Sequence, residues 1–193
     1  ENNSEESSAP FDGESIKALY MPAEKLGDRA FISSFIKQIK RKNCNSTVID
    51  FKNSEGKLSY TSLNETAITA RVSLFDNNTV RQALDLFEKE NIKVIARIFC
   101  FEDNSAAAAD PSLAVKYMDT DVNWIDAKAD EGGKCRLNPL SKAARSYILT
   151  IIGEVLEFKV DGILLEEVSF PSGEYVLSAS YPGEKKGQSR NEA

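Results

Sequence analysis

Short apolar strands alternate with amphipathic helices along this chain, and that alternation constrains its fold more than any other feature. Residues 16–21 (IKALYM) form a β-type run stopped by Pro22. Asp28 then stands as an N-cap before Ile32, Phe35, Ile36 and Ile39 at helical spacing, with Asn43 as the stop. Residues 47–51 (TVIDF) read as a buried strand. A second helix, capped by Asn78 and ended at Asn91, carries Val80, Ala83, Leu84 and Phe87 on one face. Residues 93–101 (KVIARIFCF) give the clearest strand, and residues 163–168 (ILLEEV) give another after the Asp161-Gly162 turn. A long helix over 141–158 precedes that last strand. Strands separated by helices require right-handed crossovers and a parallel sheet. The expected fold is therefore α/β, a parallel sheet of repeated βα units forming half of an incomplete TIM-like barrel. Residues 176–180 (VLSAS) are at best a fifth strand, with no helix to follow.

Between these units the pattern loosens. Residues 58–62 (LSYTS) and 66–73 (TAITARVS) read as short strands or an irregular excursion. Residues 105–118 form an Ala-rich short helix broken at Asp110-Pro111. Residues 119–136 read as a loop holding the only tryptophan, Trp124, and the Gly132-Gly133 pair. The expected organisation is a tether at 1–14, a βα domain at 15–181 and a tail at 182–193. Residues 1–14 (ENNSEESSAPFDGE) are acidic and nearly free of large apolar side chains, so they cannot bury enough surface to fold. Such a segment fits a tether left after cleavage of an export or lipid-anchor signal, and equally an ordinary frayed terminus. An extracellular or cell-surface location is the expectation.

The chain contains no histidine in its 193 residues. That excludes a Ser–His or Cys–His nucleophile, and Cys44, Cys100 and Cys135 show no metal spacing, so no metal or other cofactor is expected. Cys100 and Cys135 both fall near the loop end of the sheet, where an oxidising setting could pair them. The net charge of −6 argues against a nucleic-acid partner, and the basic stretch at 37–42 complements a helix C-terminus. No apolar run approaches the ~20 residues that span a bilayer. Any acid–base chemistry here belongs to carboxylates, Lys, Tyr or Cys.

In parallel α/β sheets function gathers at the carboxyl ends of the strands. Those ends carry Asp50 and Lys52, placed on one face by period two, then Arg97 inside an apolar run, then Glu166 and Glu167. A charge inside a buried strand is costly unless paired. Asp50, Arg97 and one of the glutamates are therefore expected to face one another. They form either a buried ion pair that fixes the sheet or a polar pocket for a hydroxylated ligand. In the second reading Glu166 and Asp50 are the candidate catalytic pair. Lys52, Arg97, Glu167, Tyr20 and Trp124 would then be ligand-binding, the two aromatics offering faces to a sugar. Glycoside hydrolysis suits a site without histidine, because two carboxylates supply every proton transfer and the nucleophile.

Four segments then carry a resemblance: VIDFKNSEGKLSY (48–60), KVIARIFCFEDNSAAAADPSLAVK (93–116), LNP (137–139) and DGILLEEVSFPSGE (161–174). Together, and in this order, they resemble a bacterial family of glycosyl hydrolase domains of (β/α)-barrel type. The match covers roughly residues 16–174, the amino-terminal half of such a barrel. The resemblance implies that Asp50 and Lys52 match a VIDVKD-like strand, with Asn53 in place of an acid. Arg97 matches an IARI strand. An FDYVRFP-like signature falls on residues 165–171, where Glu166 replaces Asp, Glu167 replaces Tyr and Ser169 replaces Arg, while Phe170 and Pro171 agree. The expectation is an exported, degenerate glycosidase-like domain that binds carbohydrate or cell-wall glycan at its strand ends. The alternatives are an active hydrolase completed by oligomerisation and a purely structural or interaction domain. An open parallel sheet invites a homodimer.

Overall fold

The computed structural model of the chain describes residues 15–184. The elements follow in the order β1 (Ala18–Met21), α1 (Arg29–Arg41), β2 (Ser46–Lys52), α2 (Glu65–Ala70), α3 (Asn77–Glu88), β3 (Lys93–Phe99), α4 (Asn104–Ala109), β4 (Lys116–Tyr117), α5 (Lys142–Leu156), β5 (Gly162–Glu166) and β6 (Ala179–Ser180). β1, β2, β3 and β5 form one parallel sheet in that spatial order, and among the described residues it does not close into a barrel. β4 and β6 pair antiparallel in a separate ribbon.

Local chemistry sets the helix starts. The carboxylate of Asp28 accepts from the Phe31 amide and that of Asp76 from the Thr79 amide, so the cap of α3 is Asp76, two residues before the Asn78 cap expected from sequence. Ser141 caps α5 through Ala144. α1 and α3 bury one apolar stripe each, through Ile32, Phe35, Ile36 and Ile39 and through Val80, Ala83 and Phe87.

Two expectations for the connecting segments change. Residues 65–70 are helical rather than extended, because the Asn64 side chain accepts from both the Thr66 and Ala67 amides and nucleates a turn. The run at 176–180 is a single turn of 3₁₀ helix followed by β6, and it joins the small ribbon instead of the parallel sheet.

The sheet has two unlike faces. One, carrying Met21, Ile49, Phe51, Val94, Ala96 and Ile98, packs under the helices as the main core. The other carries Tyr20, Val48, Asp50, Ile95, Arg97, Phe99, Leu164 and Glu166, read from the register Asp50↔Arg97, Arg97↔Leu164 and Phe99↔Glu166. Among the described residues that second face stays partly open to solvent. Tyr20 is 49% exposed and Leu164 39%. A second small core of Val115, Trp124, Ala179 and Tyr181 sits beneath the β4–β6 ribbon.

Candidate functional site

Asp50 and Arg97 stand directly opposite each other on β2 and β3, on that second face. Arg97 Nε donates to Asp50 Oδ1 at 2.5 Å and Nη2 donates to Oδ2 at 3.1 Å, a two-pronged pair. The Tyr20 hydroxyl donates to the same Oδ2 at 3.0 Å. The guanidinium also lies 5.0 Å from the ring centroids of both Tyr20 and Phe99. Three adjacent strands thus fix one ion pair between two aromatic rings.

Electrostatics follow from that packing. Hydrogen bonding to Asp50 is the largest influence on Arg97 and raises its pKa, with nearby Glu166 adding in the same direction. Partial burial, then the hydrogen bond to Asp50, raise the Tyr20 phenol above its ordinary value. Tyr20 therefore remains a hydrogen-bond donor through neutral pH.

Glu166 ends β5 beside Phe99, and its carboxylate makes no hydrogen bond or ion pair among the described residues. Glu167 follows with a left-handed backbone (φ 52°), a conformation that non-glycine residues adopt at a cost of about 1 kcal/mol or more. Its carboxylate lies 4.0 Å from Arg136 Nη1. Arg136 also bonds Asp126 at 2.9 Å and Glu102 at 3.2 Å, so one guanidinium gathers three carboxylates beyond the strand ends. Arg136 carried no sequence signal, because it sits in an aperiodic loop whose partners come from three separate segments.

Lys52 and Trp124 do not line this site. The β2–β3 register shifts after Asp50, so that Lys52 pairs with Ile98 instead of an inward-facing residue. A bulge of this kind moves a side chain to the opposite face and overturns the period-two expectation. Lys52 is fully buried against Asp103 at 2.9 Å. Trp124 is fully buried too, its indole N–H shared between Tyr175 O (3.1 Å) and Ser178 Oγ (3.2 Å), so it offers no ring face to a ligand. Both corrections reduce the expected constellation to Tyr20, Asp50, Arg97 and Glu166, with Glu167 at its margin.

Cys44, Cys100 and Cys135 are all free thiols; burial pushes the Cys100 and Cys135 thiols up. No group of three or more Cys, Asp or Glu is placed to hold a metal among the described residues. None of their helices is long and apolar enough to cross a membrane. A cleft of about 400 Å³ lies at the opposite end of the sheet, lined by Arg81, Lys93, Phe158 and Asp161 among others. It is remote from the Asp50–Arg97 pair.

Residues 18–193 match the sequence profile of a family described as "Putative glycosyl hydrolase domain". No curated protein matches the sequence. Among solved structures, a hypothetical protein from Ruminiclostridium thermocellum ATCC 27405 is similar over 90% of this chain and 85% of its own, with 26% identity and a TM-score of 0.76. A GH20 exo-β-N-acetylglucosaminidase from Vibrio harveyi, in complex with N-acetylglucosamine, is similar over 74% of this chain and 25% of its own (9% identity, TM-score 0.53). A GH31 α-xylosidase from a soil metagenome, complexed with xylose, is similar over 86% of this chain and 23% of its own (12% identity, TM-score 0.53). The chain spans about a quarter of the length of these two glycosidases, and at such identities the likeness is one of fold: part of a TIM-like (β/α) barrel.

Proposed function

The chain belongs to the "Putative glycosyl hydrolase domain" family, and from that premise we propose that it is a degenerate glycosidase-like domain binding carbohydrate or cell-wall glycan at the carboxyl ends of its parallel strands. The observation that carries this reading is the Tyr20–Asp50–Arg97 cluster on a partly open sheet face, with Glu166 beside it. A sugar ring offers hydroxyls to carboxylates and a C–H face to aromatics, and this surface presents both. An extracellular or cell-surface setting is part of this proposal.

The commitments of the carboxylates support the degenerate reading. Both oxygens of Asp50 already accept protein hydrogen bonds, so it is poorly suited to attack or to transfer a proton. Glu166, one methylene longer than the Asp of the family pattern, carries its carboxylate to a different place, and catalysis needs sub-ångström positioning. A second reading, an active hydrolase completed by a second copy of the chain, is favoured by one observation: Glu166 stands within the field of Arg97 with no hydrogen bond or ion pair among the described residues.

Titration of the 193-residue chain with oligosaccharides, from N-acetylglucosamine oligomers to peptidoglycan fragments, tests the binding reading. Saturable binding that Arg97→Ala abolishes while the fold persists is the expected result. Absence of binding to every glycan on an array overturns it. Hydrolysis of any bound oligosaccharide by wild type, lost in Glu166→Gln, would establish the catalytic alternative.

A further inference from the structure

We infer that the cleft between α3 and the turn joining α5 to β5 binds a small zwitterion with an apolar side chain, in chemical class a free aliphatic or aromatic α-amino acid. The inference is independent of the strand-end reading, because every residue lining the cleft lies between 81 and 161 and none belongs to the Tyr20–Asp50–Arg97 cluster. Its volume of about 400 Å³ falls within the range of small-molecule sites. Leu84, Ile92, Val94 and Phe158 give it an apolar floor, the last three nearly closed to solvent. Charges of both signs stand around that floor: Arg81, Asp85 and Glu88 from α3, and Lys159 and Asp161 from the facing turn.

These charges do not neutralise one another. Arg81 and Asp85 are four residues apart on α3, a spacing at which opposite charges ordinarily meet. Arg81 turns away instead. Its guanidinium lies 4.8 Å from the ring centroid of Phe158, and Nη1 donates to Glu157 O at 2.9 Å, which braces it against the end of α5. Asp161 accepts from the Val94 amide at 2.7 Å. Asp85, Glu88 and Lys159 make no side-chain hydrogen bond or ion pair among the described residues. Asp85 and Glu88 also occupy the last turn of α3, where the helix dipole favours a cation, and no basic residue stands there. Two carboxylates so placed weaken the helix end, and they suit an ammonium group brought by a ligand.

An α-amino acid carries its ammonium and its carboxylate on one carbon, so it can answer Asp85 and Arg81 together, one helical turn apart. Arg81 keeps Nε and Nη2 as donors for that carboxylate, and Lys159 adds positive charge from the facing turn. The side chain of the ligand then covers Phe158, Ile92 and Val94. Arg81 is already packed on Phe158, so binding orders few protein groups. A neutral sugar would leave both charges unanswered, and a simple anion or amine would answer only one.

Titration calorimetry on the 193-residue chain with L-leucine and L-phenylalanine, up to about 10 mM, tests the site. The expected result is saturable binding of both, weakened about tenfold or more by Asp85→Asn and by Arg81→Met. N-acetyl-leucine lacks the ammonium, isoamylamine the carboxylate and glycine the side chain; each should bind about tenfold more weakly than leucine. Arg81 also braces α5, so circular dichroism accompanies Arg81→Met, while the exposed substitution Asp85→Asn carries the test by itself. Absence of saturable binding to both amino acids overturns the inference. Binding undiminished by Asp85→Asn overturns it as well, and so does N-acetyl-leucine held as tightly as leucine.

Discussion

Lys52 Nζ and Asp103 Oδ2 stand 2.9 Å apart with both side chains closed to solvent, linking the end of β2 to the loop after β3. Every polar atom of the pair is engaged. The ammonium also donates to Phe99 O at 2.5 Å, and Asp103 accepts from the Tyr147 hydroxyl (3.2 Å) and the Ala106 amide (2.8 Å). A fully bonded buried pair of this kind adds little net stability over an apolar substitute, but losing one partner strands a charge. Asp103→Ala should therefore lower the unfolding free energy by about 3–5 kcal/mol in urea titrations. Adding Lys52→Met to that variant should recover part of the loss by removing the orphaned ammonium. Additive losses in the double variant would show that the two side chains are not coupled.

Gly56 sits against the same carboxylate. Its φ of +84° lies in the left-handed region, and a Cβ there would collide with Asp103 Oδ1. Gly56→Ala combines backbone strain with displacement of a buried anion that cannot retreat. A loss of about 2 kcal/mol or more is expected in the same titration. A change within about 0.5 kcal/mol, the range of ordinary surface substitutions, would contradict this account of the turn.

The parallel sheet was legible in the sequence because its signals are local: helical spacing in α1, apolar runs at β2 and β3, and the turn at Asp161-Gly162. The pairing of Asp50 with Arg97 was legible too, since a charge within a buried strand demands an opposite charge across the sheet. What escaped was non-local. Lys52 turns away because two residues of β2 answer one step of β3, a bulge that no period-two reading of β2 alone contains. Trp124 disappears into a small core that it shares with Val115 and with Ala179 and Tyr181, the last two more than fifty residues along the chain. Residues 65–70 became a helix through one asparagine side chain, although Thr and Ile lean toward strand.

Arg97 is the residue on which ligand binding should depend most sharply. Lysine keeps the charge but supplies neither the two-pronged contact to Asp50 nor a flat group between the rings of Tyr20 and Phe99. Arg97→Lys should weaken glycan affinity by about tenfold or more, as expected for loss of roughly 1.4 kcal/mol of ordered polar contact. Because the pair is partly exposed, thermal stability should fall by far less than in Asp103→Ala. Calorimetric titration beside a melting curve separates the two effects. Equal losses of stability in both variants would recast Asp50–Arg97 as a strut of the sheet.

Tyr60 and Tyr147 make the alkaline limit of stability a second test of the packing. Tyr60 donates to Glu154 Oε2 at 2.8 Å and Tyr147 to Asp103. Burial first, then those carboxylates, raise both phenols far above the usual tyrosine range. The folded state therefore holds these protons more tightly than the unfolded chain, where tyrosine ionises near pH ~10. Their contribution is fully present below pH ~10 and is lost as pH rises beyond it, because the unfolded ensemble alone releases protons there. Each phenol should steepen the fall by about 1.4 kcal/mol per pH unit. Tyr60→Phe should consequently flatten the dependence of unfolding free energy on pH above 10 by about that amount, whatever its effect at neutral pH. Parallel wild-type and variant curves between about pH 10 and 11 would mean that the Tyr60 phenol ionises as readily in the folded protein as in the unfolded chain.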